Sequence, residues 1–67
     1  MRITLNNRLT ELNFNEISVS KLLEEQKFSF RLLTVRVNNV VIKKEDRSLF
    51  IIKDGDKVDV IHMMSGG

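Results

Sequence analysis

The chain has 67 residues, 42% of them hydrophobic, a net charge of +2 and no cysteine. That describes one small domain, too apolar to stay disordered and too short for a large core. Disulfide staples and cysteine-ligated metal sites are excluded, acidic and basic residues alternate too evenly for a phosphate-binding stripe, and no apolar run nears the roughly 20 residues of a membrane span.

Met1, Ile3 and Leu5 alternate with Arg2, Thr4 and Asn6, the period of a half-buried strand. Asn6-Asn7 is a turn signal, because asparagine tolerates positive φ, and residues 8–13 then return as a second strand. Ser18 is a helix N-cap candidate, followed by Val19, Leu22 and Leu23 on one helical face, so a helix is predicted over 19–27. Phe28 and Phe30 follow in a connection, where they are expected to plug the edge of the core. Leu33, Val35 and Val37 mark a third strand, Asn38-Asn39 a second turn, and Val40-Val41-Ile42 a short fourth strand. Residues 43–48 read as a turn or a single helical turn, and 49–52 as a short strand or a buried loop. Asp54-Gly55-Asp56 is a turn that opens a last strand over 57–63.

A hairpin, a crossover helix and a last strand returning beside the first give an α+β, β-grasp (ubiquitin-like) arrangement. The expected sheet is mixed and four- to five-stranded, with one main helix on one face and two parallel central strands. The expected division is a β-grasp domain over 1–63 and a flexible diglycine tail over 64–67.

Little in this inventory supports catalysis. The one histidine, His62, is in phase with Val58 and Val60 and reads as a satisfied core-edge residue. A single histidine among scattered carboxylates is not a metal site, and no carboxylate pair stands in an apolar setting. Neither a catalytic residue nor a metal is expected, and a domain without active-site chemistry acts as substrate, carrier or binder. The sequence ends in Gly66-Gly67, a slim tail that can thread a narrow channel and present an unhindered carboxylate. In the last strand Asp59, Ile61 and Met63 share the face opposite Val58 and Val60. Ile61 and Met63 are therefore expected to face solvent as an apolar docking patch beside the tail.

Four segments carry a family resemblance. Val37-Asn38-Asn39-Val40-Val41-Ile42 resembles the strand-turn-strand of the small sulfur carriers, and Asp54-Gly55-Asp56-Lys57-Val58 their entry to the last strand. Met63-Met64-Ser65-Gly66-Gly67 resembles their tail, and Ser18-Val19 with Leu22-Leu23 their helix start. The chain thus resembles the ubiquitin-like sulfur carrier family of the ThiS/MoaD type, closest to its thiamine branch, ThiS. It departs from many thiamine-type carriers at Lys43, where they have proline.

The resemblance implies a mechanism. An E1-like, ThiF-type adenylyltransferase would use ATP to adenylate the Gly67 carboxylate. A sulfur donor, such as a cysteine desulfurase relay, would convert the adenylate to a thiocarboxylate that delivers sulfur to thiazole synthase. Met64, Ser65, Gly66 and Gly67 would enter the partner's channel. The carrier would bind no cofactor itself, ATP being the partner's, and would work in the cytoplasm without nucleic acid or membrane. Three alternatives stay open: a molybdopterin-synthase small subunit (MoaD-like), a ubiquitin-like modifier joined through Gly67 to lysines, and a plain β-grasp binding module.

Overall fold

The computed structural model describes residues 1–28 and 33–62. Within them lie β1 (Arg2–Leu5), β2 (Arg8–Glu11), β3 (Glu16–Ser18), helix α1 (Val19–Glu25), β4 (Leu33–Val37), β5 (Val40–Ile42), a 3-10 turn (Lys44–Asp46), β6 (Ile51–Lys53) and β7 (Lys57–His62). Five strands form one sheet in the order β2-β1-β7-β4-β5. β1 and β7 run parallel at its centre, and β2, β4 and β5 join antiparallel to their neighbours. This is the expected mixed β-grasp sheet.

Both hairpins follow from asparagine pairs. Asn6 and Asn7 have φ of 50° and 66°, and Asn38 and Asn39 have 50° and 69°. Positive φ at both central residues suits the right-handed twist of the flanking strands. Ser18 caps α1 as expected: its side-chain oxygen accepts the Lys21 N–H at 3.1 Å. The first amides of the helix donate to a loop further along the chain, Val19 N–H to Phe50 O and Ser20 N–H to Arg47 O. The helix therefore starts against the segment that leads into β6.

The core is a single cluster. Ile3 and Leu5 of β1, Val35 and Val37 of β4, Ile42 of β5 and Val58 and Val60 of β7 come from alternate positions. They bury against Val19 and Leu22 of α1, with Leu12, Ile17 and Ile52 closing the rim and Phe28 packed at its edge. Phe30 lies outside the described residues.

Two expected bounds are corrected, and one strand was not foreseen. The second strand stops at Glu11, not at residue 13, and Leu12 instead buries its side chain while its N–H donates to Met1 O. The helix ends at Glu25, because Lys27 turns to φ 59° and its N–H bonds back to Glu24 O. β3 carries no period that sequence reading could detect; it pairs antiparallel with β6 in a separate two-stranded sheet, Ile17 facing Ile52. Of the two forms expected for 49–52, the short strand is found in part, as β6 begins at Ile51, and the buried loop is not: Leu49, Phe50 and Ile51 are exposed and only Ile52 is buried.

Candidate functional site: the far end of the central strand

β7 lies between β1 and β4, and it outruns β1. The parallel ladder pairs Thr4 with Lys57 and Leu5 with Val58, and there β1 ends. The Asn6 N–H still donates to Val58 O at 2.9 Å, and the Asn6 side-chain carbonyl then accepts the Val60 N–H at 2.7 Å. A turn side chain thus stands in for the missing strand. On the other side, β4 follows β7 to its last residue, pairing Thr34 with Ile61 and Leu33 with His62.

The motif before β7 is a structural clasp. Gly55 adopts φ 88°, and its N–H donates to Arg2 O while Asp54 Oδ1 accepts the Arg2 N–H at 2.7 Å. Asp56 accepts the Lys53 N–H through Oδ2 and the Asn38 side-chain amide through Oδ1. Asn38 Oδ1 in turn accepts the Lys57 N–H at 2.9 Å. These bonds tie together the starts of β1 and β7 and the β4–β5 turn. The carboxylates are therefore spent on two backbone amides and the Asn38 side-chain amide, which fixes where β7 begins and hence which face each of its residues takes.

Ile61 stands on the face opposite the core and is 41% exposed, as alternation predicts. Its cross-strand partner Thr34 is half-buried. Met63, Met64, Ser65, Gly66 and Gly67 lie outside the described residues. His62 corrects its expectation. It keeps the phase of Val58 and Val60 but is exposed, because β7 continues past the core where β1 has already ended. Among the described residues, no three of the histidine, aspartate and glutamate side chains gather where they could hold a metal ion, and no helix is long and apolar enough to cross a membrane.

Sequence reading passed over Arg36. It is the fourth residue of β4, on the same outer face as Ile61, between Val41 of β5 and Asp59 of β7 in the register. Its Nε is enclosed and has no hydrogen-bond partner. Alternation along β4 could have placed Arg36 on that face, but nothing in the sequence could show that its side chain lacks a partner.

Comparison with known proteins agrees with this architecture. The family model described as the ThiS family matches residues 3–67. A crystal structure of the thiamine biosynthesis protein (ThiS) from Geobacter metallireducens superposes with a TM-score of 0.91 at 29% identity, covering 100% of both chains. A solution structure of a thiamine biosynthesis protein from the same organism gives a TM-score of 0.81, also at 29% identity, over 100% of this chain and 88% of its own. No curated protein matches the sequence.

Proposed function

The chain belongs to the ThiS family, and from that premise we propose that it is a sulfur carrier of thiamine biosynthesis, loaded at the Gly67 carboxylate. The observation that carries the reading is the extent of the family match, which runs from residue 3 through the diglycine at 66–67. The full-length superposition on a thiamine biosynthesis protein supports the same pathway.

The chemistry follows from what a carboxylate needs. It is a poor acyl donor, because the oxygen it would have to expel is a bad leaving group. A ThiF-type adenylyltransferase joins a Gly67 carboxylate oxygen to the α-phosphorus of ATP, and pyrophosphate departs. AMP is then the leaving group when a sulfur nucleophile attacks the acyl carbon. If the donor is a persulfide, a further thiol cleaves the resulting acyl disulfide and frees the thiocarboxylate for thiazole synthase. The carrier supplies an acyl group on a slender stalk, and its partners supply the catalysis. Ile61, exposed on β7 two positions before residue 63, offers apolar area for those partners beside the root of the tail.

The test is intact mass after incubation with a ThiF-type enzyme, ATP and a sulfur source. Exchange of one oxygen for sulfur raises the mass by about 16 Da. Appending one residue after Gly67 should abolish the gain, and normal loading of the extended protein would refute the assignment. Ile61→Asp should leave the melting temperature nearly unchanged, as surface substitutions do, and weaken docking to adenylyltransferase and thiazole synthase by roughly tenfold or more in calorimetry. Loss of the fold would instead mark Ile61 as core.

A further inference from the structure

We propose that Arg36 is the polar anchor of a docking face on the outer side of the sheet, and that it receives a carboxylate set in an apolar patch of a partner protein. The inference rests on the carrier reading, which requires an enzyme partner, and it adds the chemistry by which that partner is recognised.

The face is defined by the register. Val41, Arg36 and Asp59 form one row across β5, β4 and β7, and Thr34 and Ile61 form the next. Val41 and Ile61 are 59% and 41% exposed, so large apolar side chains flank the arginine on both sides. Val41 also lines a groove with Ile42, Leu49 and Phe50, whose other walls are the charged Lys43 and Asp46. Arg36 is half-buried, and its Nε is enclosed without a hydrogen-bond partner. Asp59 stands directly across from it, yet the ion pairs among the described residues are Met1–Glu11, Arg2–Glu11 and Lys21–Glu25. None involves Arg36.

Folding partly strips this guanidinium of water, and Asp59 across the ladder forms no ion pair with it, which is costly to the free protein. The enclosed Nε is out of a partner's reach, so a partner recovers that cost through the terminal nitrogens. The planar fork of arginine binds a carboxylate through two parallel N–H···O bonds, a geometry lysine cannot reproduce. Arginine is also among the residues enriched at interface hot spots, and here it lies between Val41 and Asp59 with Thr34 and Ile61 in the next row. Charge complementarity therefore selects an Asp or Glu of the partner. Asp59, beside Arg36, disfavours a second acidic group placed off-centre and so sets the alignment.

The experiment is calorimetry of the full chain against a ThiF-type adenylyltransferase, with Arg36→Met, Arg36→Lys and Arg36→Glu. Arg36→Met keeps the apolar stem and should weaken binding about tenfold. Arg36→Lys should recover only part of that loss, and Arg36→Glu should bind weakest. Thermal melting should leave Arg36→Met at least as stable as the parent, since an unpaired buried donor has been removed. Binding of Arg36→Met and Arg36→Glu within twofold of the parent would overturn the proposal while parental sulfur loading leaves the carrier reading intact. A parent that sediments as a dimer, broken by Arg36→Glu, would give the face to a second copy and also overturn it. A parent that neither binds nor loads would remove the carrier reading and this inference together.

Discussion

Asn6 does two things at once. It holds a left-handed φ that permits the two-residue turn, and it passes its side-chain carbonyl to the Val60 N–H at 2.7 Å, 54 positions along the chain. Asn6→Ala removes the acceptor from a part-buried amide and leaves a β-carbon in a disfavoured conformation. It should cost about 1–3 kcal/mol, read as a fall in melting temperature of roughly 4–8 °C per kcal/mol in a domain this small. Asn6→Asp keeps an acceptor and should recover much of the loss. At this scale the sequence was partly legible. Asn6-Asn7, Asn38-Asn39 and Gly55 announce turns because few residues tolerate positive φ. The long-range bonds of Asn6, Asn38, Asp54 and Asp56 carry no local pattern, so only the fold reveals them.

α1 has only seven residues, and its end explains why its length was overestimated. Lys27 N–H donates to Glu24 O and Phe28 N–H to Leu23 O, the paired bonds that close a helix around one left-handed residue. Glycine is the usual occupant, so a lysine there gives no stop signal to a reader of sequence. The same fact yields a prediction. Lys27→Gly relieves the strain of φ 59° and should raise stability by roughly 0.5–1 kcal/mol, seen as a higher denaturation midpoint at unchanged slope. The long alternating strands and the period of the helix were legible for the opposite reason: each presents several core residues in phase. β3 and β6 present one each, Ile17 and Ile52, and a single residue has no period.

The molecule as a whole depends on a core of about a dozen side chains closed on one side by Val19 and Leu22. Leu22 is fully buried, and Leu22→Ala should cost about 2–5 kcal/mol through lost transfer energy and the cavity left behind. In a small domain whose total stability lies near the low end of roughly 5–15 kcal/mol, that should leave a substantial unfolded fraction at 37 °C by circular dichroism. The overall topology was readable from element order alone, because a last strand that continues the chain past a hairpin and a helix has one good place to lie. The candidate site was less readable. Alternation put Ile61 on the outer face, but the missing partner of Arg36 depends on side-chain packing across three strands. The parallel pairing of β1 with β7 has a mechanical consequence as well. Tension applied at the start of β1 and at the far end of β7 pulls two parallel neighbours in opposite directions. Their ladder is then loaded in shear, all rungs together, whereas β4 and β5 would peel apart one rung at a time from their open end. Any machine that grips this protein beyond His62 meets the resistant direction first.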